Sequence, residues 1–236
     1  MKQRTESRQP ELVWHQEQKT MTLEGEPVLE YTLSWPELKG GGLGGKWISR
    51  YYAHLAKSWR LRWQREIYWK ACLALTEQRA ASRPFTPWRG VLQGEVTLWE
   101  GGLLSLRLQG EEDRGDGRPC RVRWGDVWNV REGAPCPLSE FFRGQKGWKK
   151  GVTSQIKEKG RQAQQAGALF FDSDWEQRIT SHIPFRDFCL TEEGIEFVLP
   201  QCAVSPAVEG TPSFSILCPG VSPFCGTTET AAYQTG

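Results

Sequence analysis

Apolar and polar side chains alternate along the first part of the chain. Leu12-Val13-Trp14, Met21-Thr22-Leu23 and Val28-Leu29-Glu30-Tyr31-Thr32-Leu33 repeat with a period of two, the signature of strands with one buried face. Trp35-Pro36-Glu37-Leu38-Lys39 follows, and then Gly40, Gly41, Gly42, Gly44 and Gly45, which read as a flexible turn. From Trp47 to about Ala81 the period becomes helical. At about 100° per residue, Ile48, Tyr51, Tyr52, Leu55, Trp59, Trp63, Trp69 and Leu73 share one broad face, with Lys46, Arg50, Lys57, Arg60 and Arg65 on the other side. Arg83-Pro84 ends this helix, because the residue before a proline is pushed out of the helical region.

Alternation returns at Gly90–Trp99 and Leu103–Gln109, two strands joined at Glu100-Gly101-Gly102 as a hairpin. Residues 110–119 form a polar excursion, Arg121–Val130 a further strand, and Pro137–Phe142 a helical turn with Ser139 near its start. Trp148–Ala166 reads as a polar, surface-lying helix. Asp172-Ser173-Asp174 is placed to cap a short helix over Trp175–Ser181. Phe185–Leu190 and Gly194–Leu199 flank Thr191-Glu192-Glu193 as a second hairpin, and Pro212–Leu217 is a last strand. Helices and hairpins are segregated, which predicts an α+β domain: an antiparallel sheet of hairpins packed against one long amphipathic helix, with shorter C-terminal helices. Residues 1–10 read as a mobile leader, 11–217 as a single domain, and 218–236, rich in Pro, Gly and Thr, as a disordered tail.

Composition refines this picture in three ways. The 236 residues carry a net charge of +2 with 25% charged side chains, which excludes a disordered polyelectrolyte and gives no global pull toward nucleic acid. Charge is nevertheless uneven, because residues 46–83 hold nine Lys and Arg against Glu66 and Glu77 alone. Seven cysteines without a C-x-x-C pair do not make a secreted disulfide framework. With no apolar leader and no membrane-spanning run, a cytoplasmic location with reduced thiols is expected. Twelve Trp is the unusual count. Trp47, Trp59, Trp63, Trp69, Trp99 and Trp128 fall on the core face of the helix or on strands. Trp88, Trp148 and Trp175 fall near loops or helix ends, where an indole could serve recognition.

Candidate chemistry is sparse. Gly45-Lys46 is followed by Trp47 rather than Ser or Thr, so no phosphate loop is present. His15, His54 and His182 have no nucleophile in a known context, and surface or capping roles account for them. Cys202, Cys218 and Cys225 lack the close pairing of a structural zinc site. Asp172, Asp174 and Asp187 could face a hard cation, although capping explains the first two. No catalytic, cofactor or metal residues are therefore expected, and the chain reads as no enzyme. The basic helix gives the main alternative: Arg60, Arg62, Arg65 and Lys70, interleaved with Trp and Tyr, could hold single-stranded nucleic acid. Recognition of cell-wall glycan by exposed Trp is a further alternative.

Two stretches carry a family resemblance. Trp124-Gly125-Asp126-Val127-Trp128-Asn129-Val130 through Pro137-Leu138-Ser139-Glu140-Phe141-Phe142 resembles a strand, turn-glycine and Leu-Ser/Thr-Asp-Leu-Phe segment of the RsiV-like domain. Phe188-Cys189-Leu190-Thr191-Glu192-Glu193-Gly194-Ile195-Glu196-Phe197, with Pro206–Gly210 and Phe214, is similar to its C-terminal signature, Cys189 standing where the pattern has Tyr. The resemblance spans roughly residues 20–217. It implies a non-catalytic bacterial α+β recognition domain, without a cofactor, whose partner is a protein or a cell-envelope component. RsiV-type anti-sigma factors use such a domain to bind lysozyme, and related domains accompany polysaccharide deacetylases. The anti-sigma role itself is not implied, since no anchor or sigma-binding segment precedes the domain. The candidate binding surface is Arg60, Arg62, Arg65, Trp88, Trp148 and Trp175.

Overall fold

In the computed structural model, which describes residues 10–217, the chain enters as a long antiparallel hairpin of β1 (Glu11–Leu23) and β2 (Glu26–Lys39). The expected tail at 218–236 and, apart from Pro10, the expected leader lie outside the described residues. A helix of three continuous parts follows: α1 (Gly42–Arg62), a π-helical turn (Trp63–Ile67) and α2 (Tyr68–Ala80). It crosses the sheet and returns the chain to its starting end. As a result β3 (Trp88–Glu100) lies parallel to β2, with Leu29 opposite Trp88 and Leu33 opposite Leu92. β4 (Leu103–Asp113), β5 (Cys120–Asn129) and the short β6 (Ala134–Pro135) continue antiparallel, giving six strands in sequential order. The fold is α+β with a mostly antiparallel sheet. Its one parallel join is not visible in strand periodicity, because it depends on where the helix delivers the chain.

The glycine run departs from the flexible turn its composition predicts. Gly42, Gly44 and Gly45 lie in the first turn of α1, and Gly44 and Gly45 are buried. A Cβ on Gly44 would stand 2.2 Å from the Val130 carbonyl oxygen, and one on Gly45 would stand 2.5 Å from that of Gly40. The run is a close-packed helix start.

The helical face also departs from a uniform 100° repeat. Ile48, Tyr52, Ala56 and Trp63 are buried as the period requires. After the π-helical turn the buried stripe moves to Ile67, Ala71, Cys72 and Leu75, while Trp69 and Leu73 face solvent. A π-helical turn winds fewer degrees per residue, so every later side chain lags in phase.

The sheet makes room for this helix with glycines. A Cβ on Gly90 would meet the Trp63 ring at 2.7 Å, and one on Gly110 would meet the Trp59 ring at 2.5 Å. Leu92, Leu104, Leu106, Leu108 and Trp128 complete the buried layer between sheet and helix.

The opposite face of the sheet is covered at one end by β7 (Phe188–Thr191), β8 (Gly194–Val198) and β9 (Ser213–Ile216). Phe188 runs so close to β5 that a Cβ on Gly125 would lie 2.3 Å from its carbonyl. The Leu190 N–H donates to Ser105 Oγ at 2.8 Å, and Arg107 reaches across to Glu196. Helices α3 (Trp148–Gln165) and α4 (Trp175–His182) pack Val152, Ile156, Trp175 and Ile179 into that second core. The expected Asp cap of α4 is absent: Asp174 makes no side-chain cap bond, and Asp172 and Asp174 instead accept from Arg178 at 2.7 and 3.3 Å.

Replacing Gly44 by Ala is expected to cost about 3 kcal/mol through overpacking. Gly42 has φ +64, but a Cβ added there would meet nothing within 4 Å. Ala at that position is expected to cost only about 1 kcal/mol of left-handed strain. Urea unfolding midpoints of the two variants measure the difference.

Candidate functional site

Arg60 and Arg62 do not face solvent as free cations. The Arg60 guanidinium donates to both oxygens of Glu17 at 3.0 and 2.5 Å and lies 5.9 Å from the Trp35 ring. Arg62 donates to both oxygens of the buried Glu112 at 2.8 and 3.0 Å and to Glu66 at 3.0 Å. The Trp63 indole N–H donates to the same Glu112 at 3.1 Å. Lys70 pairs with Glu66 at 2.8 Å. Of the four cations in the basic-helix alternative, Arg65 alone makes no ion pair among the described residues. The acids that hold Arg60 and Arg62, Glu17 and Glu112, come from β1 and β4, so the sheet cancels part of the local charge excess of the helix sequence.

The three expected surface indoles also separate. Trp175 is 4% exposed and sits over Gly160 in the second core, which removes it from any binding surface. Trp148 is half-buried, stacked on Phe142 at 5.0 Å and edge-on to Phe185 at 5.7 Å. Trp88 lies under the Arg114 guanidinium at 5.4 Å and lines a cavity of about 320 Å³ with Phe85 and Thr86. These three side chains and the arginines do not form one surface.

A different cluster is brought together on the outer side of α1. Leu43 is 75% exposed, Trp47 57% and Tyr51 41%, and they follow one another at four-residue spacing on one helical stripe. Periodicity alone assigns Trp47 to the core, but it lies one position before Ile48, on the side turned from the sheet. Lys46, Arg50 and Lys57 flank the stripe, and none makes an ion pair among the described residues. The Arg50 guanidinium lies 5.8 Å over the Trp47 ring, and a groove of about 310 Å³ is lined by Leu43, Lys46, Trp47 and Arg50. Helix α1 contains no acidic residue. This exposed apolar stripe beside uncompensated cations is absent from the surface predicted by sequence. Its signal is the four-residue spacing of Leu43, Trp47 and Tyr51, legible once Gly42–Gly45 is recognised as helix.

Tyr51 connects this ridge to a buried polar chain. Its ring touches Tyr52 at 5.0 Å and Trp128 at 5.1 Å. The Trp128 indole N–H donates to the Tyr52 hydroxyl at 2.7 Å, and that hydroxyl donates to Asp126 at 3.0 Å. Burial raises the Asp126 carboxyl from 3.8 to about 6, with the Asp187 carboxylate pushing the same way and the Tyr52 hydroxyl opposing. Burial, with Asp126 and Asp187 nearby, pushes the Tyr51 phenol up to about 12. A carboxyl that titrates near neutrality is a marker of functional sites in general.

His15 bonds Glu37 at 2.7 Å and stacks on Trp35, while His182 bonds the Arg178 carbonyl at 2.8 Å, so both take structural roles. Among the described residues no group of three or more His, Cys, Asp or Glu side chains is arranged to hold a metal ion. Cys218 and Cys225 lie outside the described residues. No described helix is long and apolar enough to cross a membrane.

No family model matches the sequence, and no curated protein matches it. Solved structures do match. A DUF3298 family member from Bacteroides fragilis superposes with a TM-score of 0.63 at 14% identity, covering 89% of this chain and 91% of that one. A DUF3298 family protein from Pseudomonas aeruginosa superposes with a TM-score of 0.53 at 14% identity, covering 88% of this chain and 89% of that one. The likeness is one of fold. Nearly the whole of each chain takes part in the superposition.

Asp126 gives the protein a measurable pH dependence. The folded state holds this carboxyl protonated between about pH 4 and 6, where the unfolded chain has already lost the proton. Its stabilising contribution is therefore full below about pH 4, falls as pH rises to about 6, and is lost above that. Asp126→Asn, which keeps an acceptor for the Tyr52 hydroxyl, is expected to gain roughly 1–2 kcal/mol over the unsubstituted protein between about pH 4 and pH 7. Denaturant titrations of both proteins at the two pH values measure that gain.

Proposed function

We propose that the chain is a non-catalytic binding domain of the RsiV-like kind, and that it binds an acidic protein surface through the outer face of α1. The observation that carries this reading is the pairing of Leu43, Trp47 and Tyr51 with Lys46, Arg50 and Lys57 on a helix that has no acid of its own. Large apolar side chains held at the surface of a folded domain mark interaction sites. Trp, Tyr and Arg are the side chains that most often dominate binding energy. The resemblance of residues 20–217 to the RsiV-like pattern supports a recognition role.

Two features favour a protein partner over nucleic acid. Stacking of bases needs open aromatic faces in succession along a cationic track, whereas Arg50 already lies over Trp47 and the cations at Arg60, Arg62 and Lys70 are paired. The exposed Leu43 offers an apolar contact that suits an aliphatic or aromatic partner side chain, not a base.

Selection of a random peptide library on the immobilised protein tests the proposal. Enrichment of sequences combining Asp or Glu with apolar side chains is expected. Binding of an enriched peptide should fall about tenfold or more with Trp47→Ser and with the double substitution Lys46→Glu and Arg50→Glu. Enrichment that is unaffected by these substitutions overturns the assignment of the face. Tighter binding of single-stranded oligonucleotides than of any acidic peptide, lost with the same substitutions, overturns the partner class.

A further inference from the structure

The face of the six-stranded sheet turned away from the long helix is covered only in part. Beyond the end of the second sheet a trough of about 280 Å³ is lined by Gln93, Gly94, Glu95, Arg107, Gln109 and Arg123. Register places Gln93 opposite Gln109, and Gln109 opposite Arg123, so these three side chains form one row across β3, β4 and β5. With neighbouring strands about 4.8 Å apart, the row extends about 10 Å, the span of a single sugar ring with its substituents.

The cations of the trough are not equivalent. Arg107 is fully engaged by Glu196 and by Glu95. Arg123 makes no ion pair among the described residues, and its Nε is buried without an acceptor. Among the described residues, the only other buried side-chain nitrogen or oxygen lacking a partner is Ser205 Oγ. The enclosed Arg123 Nε is itself closed to a ligand, but the guanidinium lines the trough with no carboxylate partner among the described residues. A carboxylate on a ligand suits it, because the two groups pair in a planar fork with two parallel bonds.

We propose that this row is a binding site for a small carboxylate-bearing sugar. The terminal nitrogens of Arg123 take the carboxylate. The Gln93 and Gln109 amides, each able to donate and to accept, take the ring hydroxyls. Glu95 at the rim, held by Arg107, places a negative charge that disfavours anions of higher charge. The site lies on the opposite side of the sheet from α1, and the proposal does not depend on the function assigned to that helix.

Heteronuclear NMR of the arginine Nε–H groups, with the protein titrated by glucuronate, glucose or inorganic phosphate over the millimolar range, tests the site. The expected result is one Nε–H resonance that shifts saturably with glucuronate and not with glucose. That resonance should be missing in Arg123→Lys. Gln109→Ala, which keeps Arg123, should weaken glucuronate binding about fivefold with the unfolding midpoint little changed. Three results would overturn the proposal: no shift with glucuronate, an equal shift with glucose, or a shift with phosphate as large as that with glucuronate. A glucuronate shift confined to another arginine would overturn it as well.

Discussion

The seating of indole rings on glycines is the contact on which the rest of this fold depends. Trp63 over Gly90 and Trp59 over Gly110 bring the long helix close to the middle of the sheet, and any side chain at either glycine would lift it off. Trp14 approaches Gly94 in the same way, and Trp175 covers Gly160 in the second core. Each indole buries a large apolar area, and the missing Cβ beneath it removes the void or clash that so large a ring would otherwise create. Four of the twelve Trp are thus seated on glycines, three of them on strands β3 and β4 and one on helix α3.

That contact also explains how charge is distributed. Once Trp59 and Trp63 are seated, Arg60 and Arg62 on the same turns are carried against β1 and β4, where Glu17 and Glu112 meet them. Glu112 is buried, and it is held by Arg62 and the Trp63 indole N–H together. These pairs join helix to sheet rather than display charge. Further toward the start of α1 no acid among the described residues pairs with Lys46, Arg50 or Lys57, and they remain uncompensated beside Leu43, Trp47 and Tyr51. One helix thus carries paired cations at Arg60, Arg62 and Lys70 and unpaired ones nearer its start, although the residues look alike in sequence.

The elements themselves are legible from periodicity: the hairpin of β3 and β4, the β7–β8 hairpin and the helix α3 all lie where alternation or helical spacing places them. The partition of the aromatic residues is not. A constant 100° step puts Trp69 and Leu73 with Trp63, but the π-helical turn at Trp63–Ile67 shifts the phase and turns both outward. No residue type announces such a turn. The glycine run misleads for the opposite reason: flexible in isolation, Gly44 is fixed here by the backbone of Val130 and Gly133, residues remote in sequence. The Trp128–Tyr52–Asp126 chain likewise joins positions 74 and 76 residues apart, which no local pattern records.

The parallel join of β2 to β3 bears on the order in which the chain assembles. The β1–β2 hairpin and the β3–β4–β5 meander each pair neighbours in sequence, so their loop-closure cost is small. Leu29 and Trp88, by contrast, meet across the entire helix, and their pairing returns nothing until that helix has formed and docked. The kinetic seam of the molecule consequently runs through the centre of its main sheet rather than along an edge. Two sets of sequence-local strands meet there, and the helix that links them acts as the clasp.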